Sequence, residues 1–140
     1  MKIKIQKLDP RATFPAYAHP GDAGMDLFAL ENTPVKAGEI KAIKTGIAME
    51  IPMGFVGLIW DKGGISMKGG LKVMGGVVDA GYRGEIMIGI ANLSGKEYLF
   101  EAGHKVTQML VQKVESPELV EANELTETKR GKGAFGSTGK

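Results

Sequence analysis

One carboxylate stands out for the company it keeps. Asp79 lies in the stretch Gly75 to Ile90, GGVVDAGYRGEIMIGI, with Val77 and Val78 before it and Gly81 and Tyr82 after it. A carboxylate among apolar residues and an aromatic ring is unfavourable to bury unless it has a partner or a task. The flanking glycines let a backbone approach a ligand closely and reach positive φ. Asp is also frequent in ordinary turns, so a surface acid in a hairpin tip explains this residue alone equally well.

The other residues able to do chemistry point to anions. The C-terminal stretch from Arg130, RGKGAFGSTGK, combines two cations (Arg130, Lys132), two hydroxyls (Ser137, Thr138) and glycines such as Gly136. Exposed N–H groups with hydroxyls can cradle phosphate. This is not a Walker A loop, because Ala134 stands where the first glycine is needed and no helix follows. Phe135 is an aromatic in an otherwise polar tail, and such a ring seeks a flat partner. An unstructured terminus has the same composition. Asp61 to Gly70 (DKGGISMKGG) offers a second cradle, with Lys62 as the point charge and Gly63 and Gly64 beside it, or else a plain surface loop. Asp26 could help hold a hydrated Mg²⁺, which keeps its waters and needs only one or two carboxylates, or it is a strand-edge acid. Gln108 could donate to an anion. His19 and His104 read as loop residues; with no cysteine, a protein-bound zinc is not expected.

The elements that must position these groups are short strands. Lys2–Leu8 reads as an edge strand, 25–30 as a strand carrying Asp26, and 40–51 as two strands broken near Gly46. Pro34 and Gly38 should bracket a turn. Further strands are expected over 54–60, 71–73, 97–100 and 106–114, the last with Gln108 at its start, and one helical turn over 65–68. Residues 75–90 have the pattern of a β-hairpin with an irregular tip, with Ile86, Ile88 and Ile90 on one face. Residues 92–96 and Gly103-His104 mark turns, and 115–130 is polar and irregular. Many short strands with turn signals between them indicate an all-β sandwich or jelly roll.

Composition bounds the rest. The chain has 140 residues, 43% hydrophobic and 24% charged, which predicts one globular domain. A net charge of +2 does not call for nucleic acid. No apolar run approaches membrane-spanning length. The alternating start MKIKIQKL does not read as a secretory leader, and the lack of cysteine fits a reducing compartment, so a cytoplasmic protein is expected.

Five stretches in order, AGMDL (23–27), DKGGISMKGG (61–70), GGVVDAGYRGEI (75–86), GHKVTQM (103–109) and RGKGAFGSTG (130–139), resemble the five motifs of the trimeric dUTPase family. The resemblance spans nearly the whole chain. It implies a jelly-roll β-clip domain over residues 1–129 and a tail, 130–140, that is exchanged between subunits of a homotrimer and closes over the site. The implied reaction is hydrolysis of dUTP to dUMP and pyrophosphate with Mg²⁺. Asp79 would activate the attacking water and meet the 3′-hydroxyl. Tyr82 would pack under the deoxyribose and exclude a 2′-hydroxyl. Main-chain groups of Gly76, Val77, Ile86 and Met87 would pair with uracil. Lys62, Gly63, Gly64 and Gln108 would lie at the phosphates, with Asp26 meeting the metal through water. Arg130, Gly136, Ser137 and Thr138 would come from the tail, with Phe135 stacked on uracil.

Three positions depart from the family pattern. Gly63 replaces the usual serine of the second motif, which predicts slower turnover. Gly81 stands for a frequent second acid, and Ala134 for a frequent glycine. The related dCTP deaminases need a glutamate where this chain has Gly89, so deamination lacks its proton shuttle. A non-catalytic nucleotide-binding relative is the other alternative.

Overall fold

The structure, a computed structural model, describes residues 1–134. Its strands are β1 (Lys4–Lys7), β2 (Met25–Phe28), β3 (Thr33–Val35), β4 (Ile40–Lys44), β5 (Ile47–Glu50), β6 (Phe55–Trp60), β7 (Leu71–Met74), β8 (Val77–Val78), β9 (Met87–Asn92), β10 (Tyr98–Phe100) and β11 (Lys105–Lys113). One short π-helical turn, Gly64–Lys68, stands where a helical turn is predicted. Among the described residues no helix is long and apolar enough to cross a membrane.

The strands form a four-stranded sheet, β2-β11-β6-β8, a three-stranded sheet, β4-β9-β7, and two ribbons, β1-β5 and β10-β3. Every pairing is antiparallel. The sheets do not close into a barrel. They share one core, to which the larger sheet gives Leu27, Ile59, Val78 and Met109 and the smaller gives Ile43, Leu71, Ile88 and Ile90. The inward face expected of Ile86, Ile88 and Ile90 is present, each at most 1% exposed. Burying each such side chain contributes roughly 1.5–3 kcal/mol, so this one run anchors β9 firmly beneath the site.

Local chemistry sets the strand breaks. Gly46 takes φ +68° between β4 and β5, a left-handed conformation that suits glycine. A Cβ there would also sit 2.9 Å from Leu30 Cδ1 and 3.0 Å from Ala12 Cβ. Pro34 corrects one expectation: it lies within β3, opposite Leu99, and the turn follows it. An edge strand tolerates proline because it needs no N–H on its outer side. Gln108 is likewise interior to β11, paired with Asp26 on one side and Trp60 on the other, rather than at its start.

Candidate active site

The central stretch is not a closed hairpin. Met74 pairs with Gly89 and ends β7, and the chain then leaves the three-stranded sheet. Gly75 (φ +76°) and Gly76 (φ +115°) carry it across to β6, where Val77 and Val78 pair with Leu58 and Gly57. The return limb, β9, stays with β4 and β7. The limbs therefore have other partners and stand apart, with a cleft between them. The physical reason is the glycine pair. Gly76 must approach β6 so closely that its carbonyl accepts from Ile59 N at 2.7 Å, and a Cβ on it would lie 2.8 Å from Ile59 O. No other residue type fits that crossing without strain.

This first cleft, about 270 Å³, is lined by Ile59, Gly76, Val77, Val78, Asp79, Tyr82, Glu85, Ile86 and Met87. Its apolar walls carry backbone edges, a carboxylate and a phenol ring. Asp79 is exposed at the start of the loop joining the limbs, and its carbonyl accepts from Tyr82 N at 3.0 Å. Tyr82 lies across Gly84, where a Cβ would meet the hydroxyl at 2.5 Å, and that hydroxyl donates to Glu85 O at 2.9 Å. Ile86 is a wall whose backbone is engaged internally: its N–H donates to Ile47 O at 2.8 Å and its carbonyl accepts from Thr45 Oγ1 at 2.5 Å. An edge for pairing with a ligand therefore falls to Met87, not to Ile86.

A second cleft, about 430 Å³, shares no lining residue with the first and is lined by Asp26, Lys62, Gln108, Gly24 and Trp60 among others. Asp26 is 2% exposed although β2 is an outer strand of its sheet, so it is not an ordinary solvent-facing acid. Its Oδ1 meets Lys62 Nζ at 2.6 Å and its Oδ2 meets Lys105 Nζ at 2.7 Å. Burial alone pushes this carboxyl upward, but the two ammonium groups outweigh it and hold the carboxyl below its ordinary range. Lys62 and Lys105 together outweigh the single charge of Asp26, but Asp22 also lines the cleft, so the four side chains balance and the Lys62 ammonium is the cation the cleft presents. Gln108 donates to Asp61 O at 2.9 Å and packs against Gly24, where a Cβ would collide with its Oε1. Asp61 in turn bonds Lys72 and accepts from Val73 N at 2.7 Å. The backbone just before Lys62 is thereby pinned on two sides.

Metal ligation here is limited. No cluster of three metal-ligating side chains occurs among the described residues. Both oxygens of Asp26 already hold lysine ammonium groups, so the carboxylate is not arranged for a resident ion, and its remaining lone pairs allow only a contact with a metal-bound water.

The predicted site residues thus fall into groups. Gly76, Val77, Asp79, Tyr82, Ile86 and Met87 come together in the first cleft, and Asp26, Lys62 and Gln108 in the second. Gly63 and Gly64 are exposed on the loop next to Lys62 and line neither. Arg130 is exposed and, among the described residues, donates to its own segment at Gly133 O, 2.9 Å away. Phe135, Gly136, Ser137 and Thr138 lie outside the described residues. Sequence reasoning missed Lys105, although it sits in the fourth quoted stretch, and Glu85, although it sits in the third. Neither spacing nor residue type shows that Lys105 reaches back across β2, since a register irregularity between Lys105 and Thr107 places it there.

Fold and site define an all-β protein with two separate clefts, one walled by apolar residues around Asp79 and Tyr82 and the other built on the Asp26–Lys62 pair. The dUTPase family model matches residues 10–139. The chain is 42% identical over 141 residues to a deoxyuridine 5′-triphosphate nucleotidohydrolase of Clostridium novyi, covering 99% of each. It is 40% identical over 142 residues to the protein of that name from Thermobifida fusca, covering 99% of this chain and 79% of the relative. Among solved structures, the phage 80alpha dUTPase with dUpNHpp aligns with a TM-score of 0.89 at 29% identity, covering 99% of this chain and 98% of that one. A mutant dUTPase of phage phi11, described with a coordinated structural Mg(II) ion, aligns with a TM-score of 0.83 at 29% identity over 89% of this chain and 98% of that one. This chain belongs to the dUTPase family.

Proposed function

We propose that this protein hydrolyses dUTP to dUMP and pyrophosphate by attack of water on the α-phosphorus, which removes dUTP from the nucleotide pool and supplies dUMP for dTMP synthesis. The observation that carries the reading is the opened strand pair, whose cleft sets Asp79 and Tyr82 beside free backbone edges. The names of the relatives support the same substrate.

Uracil enters between the limbs and pairs with main-chain groups of Gly76, Val77 and Met87 against the Ile86 wall. Cytosine is refused because its reversed donors and acceptors leave backbone groups unmatched. Tyr82 lies under the deoxyribose, where a 2′-hydroxyl would collide. Asp79 accepts a proton from the attacking water and a hydrogen bond from the 3′-hydroxyl. Lys62 and the N–H groups of Gly63 and Gly64 hold phosphate oxygens, and Gln108 keeps that loop in place through Asp61. Mg²⁺ would supply neutralisation of phosphate charge when bound with substrate, and Asp26 would be the residue to meet it through water. Hydrolysis is then mainly positioning and charge neutralisation.

The two clefts are separate within one chain, and residues from Gln112 to Lys132 are all exposed. We place the complete site at the interfaces of a homotrimer. Residues 1–129 form the body, and the tail 130–140 closes a neighbour's site with Arg130, Phe135, Gly136, Ser137 and Thr138. Deamination is disfavoured by packing: a Cβ at Gly89 would lie 2.8 Å from Met74 O, which leaves no room for a glutamate.

A panel of nucleoside triphosphates with Mg²⁺, scored for pyrophosphate, tests the reading. dUTP should be cleaved and dCTP, dTTP and UTP spared, and Asp79→Asn should abolish release. Intact dUTP after incubation with the purified protein would refute it, and a monomer on sizing would remove the shared site.

A further inference from the structure

The first cleft contains a carboxylate that the reaction does not use. Glu85 Oε1 accepts from the backbone N–H of Gly46 at 2.8 Å, across 39 positions of sequence. Gly46 belongs to a rigid node. Its carbonyl accepts from Leu8 N at 2.8 Å and Asp9 N at 3.3 Å, and its neighbours Thr45 and Ile47 hold Ile86 by its carbonyl and its N–H. The Glu85 main-chain carbonyl meanwhile accepts the Tyr82 hydroxyl at 2.9 Å. The ring is therefore hung from Glu85, and Glu85 is hung from the β4–β5 turn.

The rest of the loop offers the ring little other support. Arg83 bonds Ala80 O and Tyr82 O within the loop itself. Gly84 has no side chain to brace the ring, and Tyr82 is 46% exposed. Without the bond to Gly46, the hydrogen bonds left to residues 82–85 among the described residues run within the loop 79–85, and the loop can shift relative to the walls. We propose that Glu85 is a positioning residue for sugar discrimination: its bond to Gly46 fixes the height of the Tyr82 ring and so the space left at the 2′ position. The inference rests on the dUTP-hydrolysis reading and adds to it a named determinant of deoxyribose choice.

The experiment compares kcat/KM for dUTP and UTP in the unmutated protein, Glu85→Ala and Glu85→Gln, with urea unfolding of each. Glu85→Ala should lower the dUTP/UTP ratio by about tenfold or more, the equivalent of one hydrogen bond to a charged acceptor. Glu85→Gln keeps an acceptor oxygen and should hold the ratio near that of the unmutated protein, even if both variants lose some stability. A purely structural role would lower both substrates' rates together and leave the ratio unchanged, which overturns the proposal. An equal fall of the ratio in both variants also overturns it, since the charge would then act on substrate directly. Failure of the unmutated protein to cleave dUTP sinks the functional reading and this inference with it, whereas cleavage with an unmoved ratio sinks the inference alone.

Discussion

Gly63→Ser should speed turnover. Gly63 has φ −50° and ψ −43°, an ordinary right-handed conformation, and an ideal Cβ there meets no atom within 4 Å. Serine therefore enters without strain, one residue from the Lys62 ammonium that Asp26 holds at 2.6 Å. A hydrogen bond to a charged phosphate oxygen is worth roughly 1.5–3 kcal/mol. Much of that is offset here, because the loop is exposed and the hydroxyl gives up water and rotamer freedom. A net gain of about 1 kcal/mol in the transition state corresponds to roughly fivefold in kcat. The same substitution removes glycine's freedom from the unfolded chain and should stabilise by about 0.4–1 kcal/mol. Gly63→Ala separates the two effects, since it carries the second and lacks the first. Steady-state pyrophosphate release from dUTP, with urea unfolding alongside, reads both. A Gly63→Ser kcat no higher than that of Gly63→Ala would refute the reasoning, and a lower one would mean that the glycine is needed for loop movement.

Other outcomes follow from the same contacts. Lys105→Met leaves one oxygen of buried Asp26 without an ammonium and should cost about 1.5–3 kcal/mol by urea unfolding, below the figure for a fully buried pair because Lys105 is 43% exposed; Lys105→Arg should recover most of it. Acid should destabilise the fold. Burial pushes the Asp61 carboxyl up, but Lys72 and Val73 N–H outweigh this and hold it below its ordinary value, so its stabilisation is present above the unfolded pKa of about 3.9 and is lost as pH falls through the lower folded value. The urea midpoint should drop between pH 5 and pH 3 (on the order of one unit either side of that value), and less so in Asp61→Asn; an identical drop in the variant would exclude Asp61 as a source. Gly76→Ala, at φ +115° and with its Cβ 2.8 Å from Ile59 O, should destabilise by at least about 1 kcal/mol and weaken dUTP binding. Gly81→Ala, with open space around it, should do neither.

How much was legible in the sequence depended on distance along the chain. Local signals held: the Ile86, Ile88, Ile90 alternation marks the buried face of β9, and Thr45-Gly46 marks the break between β4 and β5. Gly76, Val77, Asp79, Tyr82, Ile86 and Met87, close in sequence, also line one cleft. What failed was partner choice. Pro34 looked like a turn residue because its neighbour on β10 is 65 positions away. For Asp26 the sequence offers a metal contact through water or an ordinary strand-edge acid, and neither reading includes the two lysines that hold its charge, because neither is near it in sequence. Gln108 is expected at the phosphates, and one of the two N–H groups of its amide is engaged with the Asp61 carbonyl, a contact that no local pattern encodes.

The hairpin expectation fails for a reason that bears on function. In a regular two-stranded hairpin the facing N–H and C=O groups satisfy one another, and nothing is left for a ligand. Here the glycine pair ends β7 at Met74 and moves the outgoing limb to β6, so Val77 no longer faces Met87 as a ladder partner. β9 is still held on its far side, where Met87 pairs with Lys44. The near side of Met87 and the outer edge of β8 therefore look into the cleft as donors and acceptors of fixed spacing. Such edges are usually an aggregation liability. Set in a narrow cleft, they instead act as a template for something flat with complementary polar edges and too short to propagate as a strand. A nucleobase meets that description, whereas a peptide would need an open approach along the whole edge. On the proposed reading, base choice resides in backbone geometry, which substitution of Val77 or Met87 would alter little, and depends on the crossing at Gly76, where φ +115° and a Cβ 2.8 Å from Ile59 O exclude a side chain.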